Sequence, residues 1–246
     1  MDVLQSGLYS DFVWSHNQVS ASGCNQVFLL IEWRGGVLGP KLPAKGSNQL
    51  LADQVQLHLQ LGERVQLGRM YGCEGEMLND RNLSLSLGTL SEGKVRRLVL
   101  DLSVGPRPSG VYPIVTMLWT YLDVIKQKMV LQPSRTIPLQ FSNSTALIKR
   151  SADHRVEKAL KLLQNPMIVE QGRQEMQRGK LAEGEAIILR RADEMLLYAA
   201  RLEDADYLKE AEALYRLSTL YMDTYRKFRS RIAKRQGLKT YSDVSY

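Results

Sequence analysis

Near Phe141–Thr145 the chain changes character. Upstream, apolar residues recur at every second position in short runs separated by turn residues. Downstream, they recur at spacings of three and four until close to the C-terminus. A period of two is the signature of a strand with one buried face, and a period near 3.6 that of an amphipathic helix. A β half followed by a helical half, without interleaving, argues against a parallel α/β sheet. It predicts an α+β chain: an N-terminal antiparallel β-sandwich followed by a C-terminal helical hairpin or bundle. The expected divisions are a poorly defined segment over 1–48 with one or two strands, a sandwich over 49–144, a helical domain over 145–236, and a tail over 237–246.

Within the first half, Val27–Ile31 is a continuous apolar run, as in a strand buried on both faces. Gly35-Gly36 and the Gly39-Pro40 region then read as a break. From Gln54 onward the alternation is strict. Val55, Leu57, Leu59 and Leu61 share one face, with Gln56, His58 and Gln60 on the other. Val65, Leu67 and Tyr71 form a looser strand. Leu83, Leu85 and Leu87 alternate with serines, and Leu98, Leu100, Leu102 and Val104 with Val99, Asp101 and Ser103. Val115, Met117, Trp119 and Tyr121 line a longer strand, and Lys128–Leu131 and Thr136–Phe141 complete the set. Short links such as Ser91-Glu92-Gly93 and Gly105-Pro106-Arg107-Pro108 suit hairpin connections in an antiparallel sandwich.

In the second half Ser151 is the expected N-cap of a first helix carrying Val156, Leu160 and Leu163. Asn165-Pro166 reads as a restart, with Asn as cap and Pro at the first helical position. A further helix presents Ile188, Ala192, Met195, Ala199 and Leu202. The last presents Tyr207, Ala211, Leu214, Ser218, Tyr221, Tyr225, Phe228 and Ile232. Matching seams and the short link Glu203–Asp206 predict an antiparallel αα-hairpin. Its last helix could reach about 40 Å at 1.5 Å per residue, so its end is expected to project.

The formal charge is +7. Much of the excess lies in the last helix and tail, in Arg226, Lys227, Arg229, Arg231, Lys234, Arg235 and Lys239, opposed by Asp243. Cations suit a helix C-terminus, and no reader motif or aromatic-interleaved groove accompanies them. Nucleic-acid or anionic-surface binding through this end is therefore an alternative reading rather than the leading one. Tyr221, Tyr225, Arg226, Arg229, Arg231, Lys234 and Arg235 are the candidate partner-binding residues. Two cysteines, Cys24 and Cys73, and three scattered histidines suggest neither a disulfide framework nor a zinc site. The N-terminus lacks the pattern of a signal peptide, and no apolar stretch suits a membrane span. The expected setting is cytoplasmic.

The sharpest chemical motif is Asp101-Leu102-Ser103-Val104-Gly105. A D-x-S-x-G sequence at a strand end can supply hard oxygen ligands to Mg²⁺, which makes Asp101 and Ser103 metal candidates. That geometry belongs to a parallel strand opening into a helix. Here Gly105-Pro106-Arg107-Pro108 leads into another strand, so no metal or cofactor is expected. No phosphate loop or nucleophile elbow occurs, His58 reads as a polar-face side chain, and no constellation specifies a reaction. The chain is expected not to be an enzyme.

Three stretches resemble the region that follows the A domain in bacterial von Willebrand factor type A (VWA) proteins. Leu51–Leu59 continuing to Met70-Tyr71-Gly72 is similar to the opening hairpin of that family's sandwich. Leu85–Gly93 with Arg96–Leu102 resembles its "LGDL-x-x-GE" turn and strand. Ala152-Asp153, Val156, Gln177–Gly184 and Ile188-Leu189 resemble its helical tail. The resemblance covers roughly 50–217. It implies a β-sandwich plus helical tail without the VWA domain itself, since 1–45 is too short for one and holds no D-x-S-x-S. No metal ligand carries over, and the chain reads as a truncated frame, a split product or a stand-alone relative. The implied function is a non-enzymatic protein-interaction or scaffold module. Its expected partner is a separate VWA-domain protein or another subunit of the same system.

Overall fold

The computed structural model describes residues 5–38, 49–73, 75–144 and 153–235, with backbone only at 5–6, 37–38, 76–77 and 228–235. Eleven strands lie among these residues: β1 (Gln5–Trp14), β2 (Gln18–Ser20), β3 (Cys24–Leu38), β4 (Leu50–Leu61), β5 (Val65–Tyr71), β6 (Glu76–Asn79), β7 (Asn82–Ser91), β8 (Val95–Val104), β9 (Gly110–Asp123), β10 (Lys128–Leu131) and β11 (Arg135–Ser142). Three helices follow: α1 (His154–Gln177), α2 (Leu181–Leu202) and α3 (Ala205–Arg235). The chain is therefore α+β, with a β-sandwich preceding a helical tail. It divides into two compact units, 1–163 and 164–246.

One sheet has the order β1-β3-β8-β5. The other has the order β2-β11-β9-β4-β7-β6, with β10 paired to β9. All pairings between these strands are antiparallel except the short β11–β2 contact. The alternating residues supply the facing surfaces. Leu57, Leu59, Leu85, Val115, Met117 and Trp119 from one sheet meet Leu29, Ile31, Leu98, Leu100 and Leu102 from the other in one buried core. Trp33 and Trp119 approach to 5.6 Å between ring centroids.

The first 48 residues do more than the sequence suggested. They contribute three strands, two of them in the β1-β3-β8-β5 sheet. β3 also runs straight through Gly35-Gly36, because these glycines mark close approach rather than a turn. A Cβ on Gly35 would lie 3.0 Å from Leu51, and one on Gly36 would lie 3.0 Å from the Tyr9 ring. The outer edge of β1 is blunted by side chains. Gln132 Nε2 donates to the Leu8 carbonyl at 2.7 Å, and Arg135 donates to the Ser10 carbonyl while its guanidinium stacks 4.3 Å from the Phe12 centroid. Such capping discourages strand addition at an open edge.

The composition change at Phe141–Thr145 is not the boundary between units, because the first turns of α1 belong to the sandwich. Val156 and Ala159 bury Leu30, Tyr71 and Val99 on the outer face of the β3–β8 pair. Val99, which shares the outer face with Asp101 and Ser103, is therefore fully buried. The observed cap is Asp153, whose Oδ1 accepts the Arg155 N–H at 2.8 Å, while its own N–H donates to the Ser15 carbonyl. Ser151, the expected cap, lies outside the described residues.

The expected restart at Asn165-Pro166 is also corrected, since α1 passes through Pro166. Proline removes one helical hydrogen bond and disfavours helix in the residue before it. Tertiary anchoring outweighs this. Asn165 is buried, and its Oδ1 accepts Arg191 Nε of α2 at 2.6 Å while its Nδ2 donates to Glu210 of α3 at 3.1 Å. One amide thus ties three helices together. Further along, Gly172 of α1 meets Gly184 of α2, where a Cβ on Gly184 would lie 2.4 Å from the Gly172 carbonyl oxygen.

That crossing yields a test with an inverted sign. In an exposed helix interior, Gly→Ala stabilises by about 1 kcal/mol. Gly184→Ala is expected instead to destabilise by about 1–3 kcal/mol, because neither backbone can give way without repacking. Urea denaturation followed by far-UV circular dichroism measures the difference.

Candidate functional site

The residues singled out in the sequence fall in separate places. Asp101 lies within β8, between two antiparallel neighbours, and accepts a hydrogen bond from Gln26 Nε2 at 2.9 Å. β8 does not lead into a helix, so the motif lacks the setting that would aim its oxygens at a cation. Among the described residues no three His, Cys, Asp or Glu side chains converge as a metal-binding group. His58 Nδ1 lies 3.3 Å from the Ser84 hydroxyl of the neighbouring strand. Burial pushes the Cys73 thiol up to about 11, away from the thiolate that nucleophilic chemistry requires. Tyr221, Tyr225 and Arg226 lie on α3. Arg229, Arg231, Lys234 and Arg235 follow on its helical backbone, but their side chains lie outside those described.

The sandwich unit contains a charged cluster that the sequence did not reveal. Arg155, in the first turn of α1, donates to Glu32 of β3 at 2.6 Å and to Asp11 of β1 at 3.1 Å. Arg97 of β8 donates to the other oxygen of Glu32 at 2.7 Å. These side chains line a cleft of about 320 Å³ with Tyr9, Arg34 and Val95. Burial alone would raise the Glu32 carboxyl. Hydrogen bonds and positive charge from Arg97 and Arg155 override it and hold the group below its ordinary value. A carboxylate pinned in the ionised state between two guanidiniums is a clamp, not an acid or base poised near neutral pH. Positions 11, 32, 97 and 155 are too far apart in the sequence to form a motif, and only the charged residues at matching β-register positions could have hinted at Glu32–Arg97.

The helical unit carries the candidate partner surface. The link between α2 and α3 is only Glu203-Asp204, with Glu203 in the left-handed region at φ 52°. The Asp204 N–H donates to the Ala199 carbonyl, and Asp204 Oδ1 accepts the Asp206 N–H at 2.9 Å, so both helix ends are closed at the tip. Pairing of Tyr198 with Tyr207 and of Tyr215 with Asp193 sets the antiparallel register. The Tyr215 phenol is pushed up by its hydrogen bond to Asp193. At the tip the small residues Ala199, Ala200 and Ala205 leave a shallow groove of about 370 Å³, walled by Leu196 and Leu208 and rimmed by Glu203 and Asp204. On the last turns of α2, Leu197 is 70% exposed and Leu202 is 41% exposed. Sequence periodicity placed Leu202 in the seam, but the tight link ends α2 before it can be covered.

The clamp has a pH signature. A depressed carboxyl contributes stability that is present above its unfolded value, here 4.5, and is lost as pH falls through the folded value. The melting-temperature difference between wild type and Glu32→Gln is therefore expected to be largest near neutral pH and to close below pH 4.5. Thermal denaturation across the acid range checks this.

No family model matches the chain, and no curated protein matches it. Similar solved structures include a von Willebrand factor type A protein from Catenulispora acidiphila, with TM-score 0.47 and 14% identity over 63% of this chain and 38% of that one. The ArnB paralog VWA2 from Sulfolobus acidocaldarius gives TM-score 0.41 and 11% identity over 69% and 40% of the two chains. ACE19, the collagen-binding subdomain of the Enterococcus faecalis surface protein ACE, gives TM-score 0.34 and 10% identity over 54% and 95%. The chain thus spans less than half the length of the two VWA-type proteins, and no family assignment follows from likeness at this level.

Proposed function

We propose that the chain is a non-enzymatic protein-interaction module in which the sandwich is the scaffold and the α2–α3 tip is the docking face. The observation that carries this reading is the apolar groove walled by Leu196 and Leu208, with Leu197 and Leu202 on the same end of α2: each of these leucines is at least 41% exposed, on a doubly capped hairpin end. Scattered exposed leucines are ordinary, but a contiguous apolar patch with a polar rim is the usual form of a protein contact. The non-enzymatic part is supported by Glu32, whose charge is consumed by two arginines within its cleft. The resemblance of Leu51–Leu59 and Leu85–Gly93 to the segment after a VWA domain makes a separate VWA-domain protein, or another subunit of its system, the first partner to test.

A photo-crosslinking residue at Leu197, with one at Thr116 on the sandwich as control, tests the reading in the native host. A discrete adduct is expected from Leu197 and none from Thr116. An absence of adducts at the hairpin, or equal labelling from both positions, overturns it.

A further inference from the structure

The end of α3 and the tip of the hairpin carry opposite charge. α3 has 31 residues and α2 has 22, about 46 and 33 Å long at 1.5 Å per residue. In the register set by Tyr198–Tyr207 and Asp193–Tyr215, the start of α2 at Leu181 comes level with the turn around Tyr225. α1 ends near the same level, since Asn165 of α1 meets Glu210 of α3 and the helix runs on from there to Gln177, level with about Met222. Among the described residues, the backbone of the last turns of α3 therefore runs past the ends of α1 and α2. Their sequence is Arg226, Lys227, Phe228, Arg229, Ser230, Arg231, Ile232, Ala233, Lys234 and Arg235, which places Phe228 and Ile232 on one helical face among cations. The tip at the other end of the hairpin is an apolar groove with the opposite charge, where Glu203, Asp204 and Asp206 stand against Arg201.

We infer that the groove at the α2–α3 tip receives the basic, apolar end of α3 from a second copy of this chain. This inference rests on the reading of the tip as a docking face. An apolar helix face flanked by cations matches an apolar groove rimmed by carboxylates in both shape class and sign. The contact joins two different surfaces, so it is head-to-tail, and it builds open chains unless the rotation between copies closes a ring. Charge at an exposed rim makes the association sensitive to salt.

Sedimentation velocity of the full chain, from micromolar to sub-millimolar concentration, tests the inference. At low salt the weight-average mass is expected at least to double across the range, and the rise is expected to vanish at about 0.5 M salt. Glu203→Lys with Asp206→Lys reverses the tip, and Arg229→Glu with Arg231→Glu reverses the α3 end. Each variant alone is expected to stay monomeric, and an equimolar mixture is expected to associate, because each reversed surface then faces an opposite charge on the other copy. Circular dichroism confirms that both variants keep their helix. A wild-type chain that stays monomeric at low salt overturns the inference, as does association unchanged by either reversal. A monomer that still crosslinks through Leu197 to a different protein overturns self-docking and leaves the docking face intact.

Discussion

Burial of β8 on both faces is the constraint on which the sandwich unit depends. Leu98, Leu100, Leu102 and Val104 face the opposing sheet, and Val99 lies under Val156 and Ala159 of α1. Fully burying each such side chain contributes about 1.5–3 kcal/mol, whereas an exposed ion pair contributes about 0–1 kcal/mol. Packing therefore holds the first turns of α1 on the sheet. The Asp11–Arg155–Glu32–Arg97 cluster orients those turns and gives them a pH dependence. The same double burial explains why the unit ends within α1 and not at the change in composition.

In the helical unit the corresponding constraint is close approach rather than apolar bulk. Gly172 and Gly184 let two helix backbones nearly touch. Beside them Asn165 satisfies Arg191 and Glu210 from two different helices. Buried polar groups are costly when left unpaired, so a shifted register would cost the buried Asn165 amide its Arg191 and Glu210 partners. Precise register leaves the tip with a defined groove between Leu196 and Leu208.

Much of the fold was legible before the structure. Leu57, Leu59, Leu85, Leu100, Met117 and Trp119 are all buried, as their period of two required. Ile188, Ala192, Met195, Tyr207, Ala211 and Leu214 are buried at the helical spacing. The failures have a common cause. Gly35-Gly36 and Asn165-Pro166 were read from local propensity, and each was overridden by partners far away in the chain: Tyr9 and Leu51 for the first, Arg191 and Glu210 for the second. The charged cluster was invisible for the same reason, because its four members are brought together only by strand register and helix docking.

Local pattern along the chain specifies the order of structural classes, the inward faces of most strands and helices, the αα-hairpin, and the uneven charge along α3. These follow from periodicity and composition, which are properties of neighbours along the chain. Long-range packing sets where the units divide, which glycines are contacts, which carboxylate is pinned, and which leucines stay exposed at the hairpin tip. Those outcomes depend on distances between residues remote in sequence, and no local pattern encodes which distant backbone or guanidinium will arrive beside them.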